Sequence, residues 1–277
     1  MRLPYFDLLL EGRKRGERGA SVFSRHVHWG YWPSLLGARL SDEAFAEAMA
    51  RLDDLVVEGV RPVDGMTLAD VGCGFGGTLK RLSERLPNAR LLGVNFDERQ
   101  LAVADAGRAA LIRADACRLP LATGAFDALL AVECIFHFPS RQTFLKEAAR
   151  ALKPGGRLSL SDFVPLSVRT QGGAVGRYFE RTISRGYGTL GAGWTEGDYA
   201  KMAAKAGLVV ERERDITRGT LPTYLKLLRL SADGAFGDRP TGMAWPTVLL
   251  FLLSALGLVR YRVVSLRKPT GSKTTTG

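Results

Sequence analysis

The stretch Leu68–Gly77, LADVGCGFGG, joins a short apolar run to a turn rich in glycine. A helix-like stretch, GTLKRLSERL, begins at its last residue. Gly72 and Gly74 permit a tight turn and let the backbone approach a ligand closely. The first N–H groups of the following helix favour a negatively charged group such as a carboxylate, because they have no helical partner. The stretch therefore predicts a strand, a turn and a helix, with a ligand site at the turn.

The spacing of this turn, D-x-G-x-G-x-G-G, differs from the G-x-G-x-x-G of dinucleotide-binding folds. Strand-like and helix-like runs continue to alternate after it. Such alternation predicts a mainly parallel sheet with helices on both faces and right-handed crossovers. The strand-like runs are ARLLGVN, AALIRAD, FDALLAV, GGRLSLSDFV, LVVERERDIT and YRVVSLRK, and the helix-like runs include SDEAFAEAMARLDDLVVEGV, DERQLAVADAG, RQTFLKEAARAL, GRYFERTIS and TEGDYAKMAAKAG.

The composition of the 277 residues is that of a globular protein, with 46% hydrophobic and 24% charged residues. The 39 basic residues exceed the 28 acidic ones and give a net charge of +11. Such a charge suits nucleic acid, an anionic membrane surface or an acidic substrate. The basic residues are scattered along the chain, which favours a solvated basic surface, and nucleic acid is not the expected partner.

Cys73, Cys117 and Cys134 are odd in number and widely spaced, so we predict neither a disulfide framework nor a metal site. This pattern indicates a reducing compartment, and we expect a cytoplasmic protein without a signal peptide. The most apolar stretch, Trp245–Val259, is shorter than the roughly 20 residues that span a bilayer. We expect a helix here that packs in the core, joins two copies in a homodimer or touches a membrane surface.

Four motifs, in this order, resemble those of the class I S-adenosylmethionine-dependent methyltransferases: DVGCGFGG, LLGVNFD, RADACRLPLATGAFDAL and LKPGGRL. The resemblance covers Thr67–Phe163 and implies a Rossmann-like α/β fold with seven mostly parallel strands and helices on both faces. It makes YRVVSLRK the antiparallel strand near the sheet edge. The expected division of the chain is a helical lid and substrate region over residues 1–65, a methyltransferase core over residues 66–267, an insertion over the site at residues 165–194 after the fifth strand, and a flexible tail over residues 268–277.

The resemblance implies that the chain binds S-adenosyl-L-methionine and releases S-adenosyl-L-homocysteine. By position, the glycine-rich turn holds the methionine part, the end of the second strand the ribose, and the residues after the third strand the adenine. The residues concerned are Asp70, Gly72 and Gly74, then Asn95, Phe96 and Gln100, then Asp115 and Ala116. Asn95 stands where the family usually has an acid, although some members, including sterol methyltransferases, carry Asn there. The Asn95 amide can accept one hydroxyl hydrogen bond and donate another.

The stretch Ala131–Ser140, AVECIFHFPS, follows a strand-like run and places an acid at its end. It resembles the E-x-x-x-H-x-P pattern of sterol, tocopherol and sarcosine methyltransferases, and lacks the Asn/Asp-Pro-Pro pattern of enzymes that methylate amino groups of bases or glutamine. We therefore predict Glu133 as a general base or a stabiliser of a developing cation. His137 is predicted to orient Glu133 or to take the proton itself. The alternative is that Glu133 caps backbone N–H groups or binds the cofactor's ammonium, with His137 merely packed nearby.

The stretch Arg25–Pro33, RHVHWGYWP, holds two of the three histidines of the chain. Similar H-x-G-Y segments in small-molecule methyltransferases close over the cofactor, where aromatic rings attract a sulfonium and exclude water. We predict Tyr31 as a cofactor contact. The residues predicted to bind the acceptor are His28, Trp32 and Tyr187. The alternative is an aromatic staple that packs the N-terminal helices on the sheet.

The predicted function is methyl transfer from S-adenosyl-L-methionine to a small, partly apolar molecule. C-methylation of an isoprenoid or natural-product acceptor is favoured, because a carboxylate at the site suits a cationic intermediate. The alternatives are N- or O-methylation of a polar small molecule, RNA methylation suggested by the positive charge, and cofactor binding without turnover.

Overall fold

The computed structural model describes residues 3–35, 37–165, 173–188, 198–237 and 242–270. The strands are β1 Thr67–Val71, β2 Arg90–Asn95, β3 Ala110–Arg113, β4 Phe126–Val132, β5 Leu152–Pro165, β6 Val209–Asp215 and β7 Val259–Arg267. The helices are α1 Pro4–Arg15, α2 Arg18–Val22, α3 Asp42–Glu58, α4 Gly77–Arg85, α5 Glu98–Leu101, α6 Arg141–Ala151, α7 Gly173–Tyr187, α8 Tyr199–Lys205, α9 Thr217–Ala232 and α10 Ala244–Ala255.

The strands form one seven-stranded sheet in the order β3-β2-β1-β4-β5-β7-β6. The first five strands pair in parallel, and β7 pairs antiparallel with both of its neighbours, β5 and β6. The predicted Rossmann-like α/β fold and the position of its antiparallel strand are confirmed. Because strand order reverses beside β1, the carboxyl ends of β1 and β4 flank the crevice in which such sheets bind ligands.

The sheet is buried on both faces, as its apolar strands predict. Leu129 and Leu130 are neighbours on β4, and both are fully buried, but they belong to different cores. The core containing Leu130 includes side chains of α1, α3, α9 and α10. The core containing Leu129 includes side chains of α6 and α8. Because successive side chains of a strand point to opposite faces, β4 packs against one helical layer on each face of the sheet.

The third helix, α3, follows its sequence signals closely. The Ser41 side chain caps it by accepting a hydrogen bond from the Ala44 N–H at 3.2 Å, and Asp42 and Glu43 lie in its first turn. These acids are favoured there by the helix dipole. The predicted helix SDEAFAEAMARLDDLVVEGV is therefore confirmed.

The fifth helix, α5, is shorter than predicted. The helix predicted over DERQLAVADAG ends at Leu101, because the chain turns back under the glycine-rich turn. There the Asp105 N–H donates to the Phe75 carbonyl at 2.9 Å, and Ala106 packs against Gly76. Helix α8 begins at Tyr199, with Asp198 as its cap. The threonine cap expected from TEGDYAKMAAKAG lies outside the described residues.

Of the insertion expected at residues 165–194, the structure describes α7, which contains the predicted GRYFERTIS helix and packs against α10. Residues 166–172 and 189–194 of that insertion lie outside the described residues, as do residues 271–277 of the expected tail. The backbone of Lys268 forms hydrogen bonds with Gly155 and Gly156, so the chain is held at the sheet just beyond β7. Among the described helices, none is long and apolar enough to cross a membrane.

A buried ion pair and a hydrogen bond to it join helices α6 and α8 to strand β5 of the sheet. Arg141, the first residue of α6, donates to the Asp162 carboxylate of β5 at 2.6 Å, and both side chains are almost fully buried. The Tyr199 hydroxyl of α8 donates to the same carboxylate, also at 2.6 Å. A buried charge needs such partners, since its hydration is lost on folding.

Replacing Asp162 with alanine is expected to lower the free energy of unfolding by about 3–5 kcal/mol, because the buried Arg141 charge loses its counter-ion. Urea denaturation would measure the change. Glu98→Ala, which removes the carboxylate of the exposed Arg113–Glu98 pair, is the control and should have a much smaller effect. Equal effects of the two substitutions would contradict a structural role for the buried pair.

Candidate active site

A cavity of about 340 Å³ lies at the carboxyl ends of the parallel strands. The residues expected to bind the cofactor meet there, apart from Tyr31. They are Asp70, Gly72 and Gly74 after β1, Asn95, Phe96 and Gln100 after β2, and Asp115 and Ala116 after β3. The fold therefore brings three separate motifs to one site, as their positions at strand ends predict.

Glycine is required at two positions between the end of β1 and the start of α4. Gly72 has a φ of 87°, and a Cβ atom built on it would lie 2.6 Å from the Cys134 sulfur. A side chain at Gly77, the first residue of α4, would clash with the backbone of the N-terminal segment, 2.3 Å from the Arg25 carbonyl oxygen. The absence of side chains thus lets the end of β4 and the N-terminal segment close in on the turn.

Asp70 is a buried acid with an unsatisfied oxygen. Its side chain lines the cavity, and its Oδ1 has no hydrogen-bond partner in the described structure. Burial, together with the nearby charge of Asp53, raises the pKa of Asp70 to about 8. A carboxyl group in this state suits a positively charged ligand group, which would restore the lost interactions of the ionised form.

Asn95 is held in a defined orientation by Gln100. The Asn95 amide nitrogen donates to the Gln100 side-chain oxygen at 2.9 Å. With the nitrogen engaged, the Asn95 oxygen is the atom of this amide suited to accept a hydrogen bond from a hydroxyl group. Gln100 thus gives Asn95 the acceptor character that an acid would have at this position.

Glu133 stands at the end of β4 in an unusual backbone conformation, with a φ of 50°. Its Oε2 accepts hydrogen bonds from the Trp29 N–H at 2.8 Å and the Tyr261 hydroxyl at 2.5 Å. Its own N–H donates to the Ser161 hydroxyl at 2.9 Å. Burial raises the pKa of Glu133 to about 8, although the hydrogen bonds from Tyr261 and Trp29 act in the opposite direction.

A second cavity, of about 80 Å³, adjoins the first and is mainly apolar. Its apolar lining includes Trp29, Phe136, Phe163, Tyr187, Leu227 and Leu250. The wall common to both cavities is formed by five residues: Tyr5, Val27, His28, Glu133 and His137. The predicted residues Glu133, His137 and His28 therefore stand where two ligands, one in each cavity, would meet, and Tyr187 lines the apolar side.

His137 is paired with a residue that sequence reasoning missed. The Tyr5 hydroxyl and the His137 Nε2 lie 3.2 Å apart, within hydrogen-bond distance. The two residues are 132 positions apart, and the short helix α1 carries no pattern that would single out Tyr5. The Glu133 carboxylate is oriented by hydrogen bonds from Trp29 and Tyr261. His137 lies at the same cavity wall, where Tyr5 is its partner.

His28 presents a free ring nitrogen at this wall. Its Nδ1 lies 2.8 Å from the Trp29 carbonyl oxygen, which can only accept, so the ring proton is on Nδ1. The Nε2 has no hydrogen-bond partner among the described residues. Burial lowers the pKa of His28 to about 4, so the ring is neutral near pH 7 and Nε2 is an unoccupied acceptor.

Tyr31 and Trp32 lie away from both cavities, and here the structure corrects the expected placement. The Tyr31 hydroxyl accepts a hydrogen bond from Arg214 at 2.8 Å, and the Trp32 ring stacks on Phe45 of α3. Residues 25–29 line the cavities, whereas Tyr31 and Trp32 pack on α3 and β6. The first half of the segment is thus a cavity wall, and the second half is an aromatic staple.

One group of described residues has the composition of a metal site. Potential ligand atoms of His26, His28 and Asp53 lie within 4.8 Å of one another. The Asp53 carboxylate, however, already accepts from the Thr78 hydroxyl at 2.7 Å and from Arg81 at 2.8 Å. A cation there would face the Arg81 charge, so the group is better explained as a satisfied acid beside two neutral histidines.

Each of the thiols of Cys117 and Cys134 donates to a backbone carbonyl.

Comparison with known proteins gives the same family as the motifs. A family model described as "Methyltransferase domain" matches residues 69–160. Methyltransferase GfsG of Streptomyces halstedii is 32% identical, over 73% of this chain and 73% of the relative. The 27-O-demethylrifamycin SV methyltransferase of Amycolatopsis mediterranei is 30% identical, over 74% of each chain.

Solved structures share the fold. The crystal structure of the [4+2]-cyclase SpnF has a TM-score of 0.71 at 23% identity, covering 96% of this chain and 94% of that one. The geranyl diphosphate C-methyltransferase of Streptomyces coelicolor, solved with S-adenosyl-L-homocysteine, has a TM-score of 0.71 at 17% identity, covering 90% of each chain. The chain belongs to the class I S-adenosyl-L-methionine-dependent methyltransferases that act on small molecules.

The cavity described above fits this cofactor. The unsatisfied Asp70 carboxyl suits the cofactor's ammonium group, and the N-terminus of α4 suits its carboxylate. The oriented Asn95 oxygen suits a ribose hydroxyl, and Asp115 and Ala116 stand where the family holds the adenine. S-adenosyl-L-methionine supplies an electrophilic methyl group on a positively charged sulfur.

Replacing Asp70 with asparagine is expected to weaken the binding of S-adenosyl-L-homocysteine about tenfold or more, since a charge-assisted hydrogen bond is lost. Isothermal titration calorimetry measures this directly. Tyr31→Phe is a matched control, because Tyr31 lies outside the cavity, and its affinity should equal that of the wild type. Unchanged affinity in Asp70→Asn would contradict the assignment.

In the absence of ligand, Asp70→Asn is expected to raise the free energy of unfolding. The pKa of Asp70 rises from about 3.8 in the unfolded chain to about 8 in the folded protein. The neutral form of Asp70 therefore makes its full contribution to the free energy of unfolding below about pH 4. That contribution falls as the pH rises from about 4 and is lost once the pH passes about 8. We expect Asp70→Asn to gain stability relative to the wild type between about pH 5 and pH 8, as measured by urea denaturation. A difference independent of pH would contradict this.

Proposed function

We propose that this methyltransferase methylates a hydroxyl oxygen of a largely apolar small molecule, with Glu133 taking the hydroxyl proton. The observation that supports this most directly is the buried Glu133 carboxyl, which lines both cavities and has a pKa of about 8. An alcohol is a weak nucleophile until its proton is removed. A base with a pKa near the working pH is suited to that task.

The hydrogen bonds of Glu133 leave one oxygen for this role. The Trp29 N–H and the Tyr261 hydroxyl both donate to Oε2, and the described residues give Oε1 no such bond. These donors hold the carboxyl group in place and favour its ionised form. When the acceptor's oxygen bonds to the methyl carbon, the bond between that carbon and the cofactor's sulfur would break with its electron pair going to sulfur. The hydroxyl proton would pass to Glu133.

The apolar cavity supports an acceptor that is apolar around its hydroxyl group. Apart from the shared wall, its lining is mostly aromatic and aliphatic, and helices α1, α7, α9 and α10 all contribute to it. The polar groups on that wall, His28 and His137 among them, are few and lie near Glu133. An acceptor with one hydroxyl among many apolar groups would place that hydroxyl at the wall.

The comparison supports oxygen as the methylated atom. The relative from Amycolatopsis mediterranei is named 27-O-demethylrifamycin SV methyltransferase and aligns over 74% of this chain. That name describes an acceptor that lacks a methyl group on an oxygen. A hydroxyl on a natural product is therefore the acceptor class that we propose.

C-methylation of an alkene, the activity favoured from the sequence, is the second candidate. One observation favours it: within the described residues no lysine or arginine pairs with Glu133. A buried carboxylate without a cationic partner would stabilise a carbocation formed after methyl addition.

Incubation with cofactor carrying a ¹³C-labelled methyl group, and with a panel of hydroxylated polyketides and terpenes, distinguishes the two candidates. Mass spectrometry finds the labelled product, and carbon NMR shows whether the methyl group is bonded to oxygen or to carbon. A methoxy product supports the proposal. A C-methyl product replaces it with the second candidate.

Glu133→Gln is expected to lower kcat about 10²–10⁴-fold, the usual contribution of a general base, while the affinity for S-adenosyl-L-homocysteine changes little. The substitution keeps the size of the side chain and an oxygen for the Trp29 and Tyr261 bonds. Turnover at the wild-type rate would exclude Glu133 as the base.

The pH dependence of kcat/KM gives an independent check. Because the ionised carboxylate is the active form, kcat/KM should rise with pH and level off above about 8. Tyr261→Phe removes a hydrogen bond that lowers the pKa of Glu133, so its profile should shift to higher pH. Tyr31→Phe, whose hydroxyl is bound to Arg214, should keep the wild-type profile. A Tyr261→Phe profile shifted to lower pH would contradict the proposal.

A further inference from the structure

We propose that the outer face of helices α7 and α10 docks on an anionic lipid bilayer. This docking face is defined by two sets of residues. The first set lies on α10 and comprises Trp245, Val248, Leu252 and Ala255, together with Leu256, which directly follows the helix. The second set lies on α7 and comprises Arg177, Tyr178, Arg181 and Arg185.

The α10 part of the docking face is an uninterrupted apolar stripe. Trp245, Leu252 and Leu256 are 54%, 45% and 72% exposed, and they recur at the spacing of one helix face. Val248 and Ala255 lie between them on that face, and α10 contains no charged residue. Single exposed apolar side chains are common on proteins, but a contiguous row of this kind marks an interaction surface.

The α7 part supplies positive charge beside this stripe. Arg177, Arg181 and Arg185 recur every four residues and are all exposed. None of them forms an ion pair with another residue in the part of the chain that the structure describes. The two parts meet where the Trp245 ring nitrogen donates to the Tyr178 hydroxyl at 3.4 Å.

This combination favours a bilayer over a second copy of the chain. Anionic headgroups neutralise a row of arginines, and apolar and aromatic side chains enter the adjacent boundary of the hydrocarbon region. In a symmetric dimer through the same face, the arginine rows of the two copies would lie close to each other. The described residues of α7 and α10 offer one carboxylate, Glu180, to offset that repulsion.

The inner faces of the same two helices line the apolar cavity. Ile183 and Tyr187 of α7, with Thr247 and Leu250 of α10, belong to its wall. The Tyr187 and Thr247 hydroxyls are hydrogen-bonded at 2.6 Å, which closes the helices over the cavity. An apolar acceptor dissolved in the bilayer would reach the site between α7 and α10 when this hydrogen bond opens, and this part of the inference rests on the proposed function.

Co-sedimentation of the full-length protein with vesicles tests the docking. We expect binding to phosphatidylcholine vesicles that contain phosphatidylglycerol and little binding to phosphatidylcholine alone. L252E/L256E should lower the affinity for the anionic vesicles about tenfold or more. V63E/V209E, which places the same charges at exposed apolar positions elsewhere, is the control and should bind like the wild type.

The arginines are tested separately. R181E/R185E should weaken binding to the anionic vesicles and reduce its dependence on salt, because screening acts on the charge part of the interaction. Absence of vesicle binding, or equal loss in V63E/V209E, would overturn the inference. A dimer in sedimentation velocity that L252E/L256E dissolves, without vesicle binding, would assign the face to a second copy instead.

These measurements need neither cofactor nor acceptor, so a failure of docking is distinct from a failure of the proposed function. Entry between the helices adds its own test in the intact protein. The KM for a vesicle-dissolved acceptor should rise in L252E/L256E, while the affinity for S-adenosyl-L-homocysteine stays unchanged. An unchanged KM would refute entry from the bilayer.

Discussion

The buried carboxylate of Glu133 is the interaction on which the site depends. It joins the N-terminal segment, through the Trp29 N–H, to the last strand, through the Tyr261 hydroxyl. A φ of 50° is unfavourable for a glutamate, and such a conformation persists where surrounding contacts impose it. Here the Ser161 hydroxyl accepts the Glu133 N–H and completes the set. The contacts that close the N-terminal segment onto the sheet are therefore the same ones that aim the acid at the two cavities.

The centre of the site lacks the positive charge that dominates the chain as a whole. The chain carries a net charge of +11, yet the two acids at the centre of the site, Asp70 and Glu133, have raised pKa values and no basic partner among the described residues. The buried His28 is neutral. A cationic cofactor thus enters a site whose acids lack positive partners, and its binding is coupled to their loss of protons.

The parts of the site predictable from sequence were those built from neighbouring residues. The glycine turn with Asp70 and the Asn95–Gln100 pair each lie within a few positions of a strand end, and parallel strands bring such ends together. Tyr5 and Tyr261 could not be found in this way, because they meet His137 and Glu133 across 132 and 128 positions. Tyr31 was misplaced for a related reason: an aromatic run indicates burial, but the run alone does not show which of its rings line a cavity and which pack on α3 and β6. The roles given to individual side chains remain predictions.

The N-terminal segment has a kinetic consequence. Tyr5, Val27 and His28 belong to the walls of both cavities, so one stretch of chain touches whatever occupies either of them. If this stretch has to loosen for one ligand to leave, a ligand in the other cavity resists that movement. We therefore expect exchange at the two cavities to be coupled, with the spent cofactor leaving more slowly while the methylated product still contacts the shared wall.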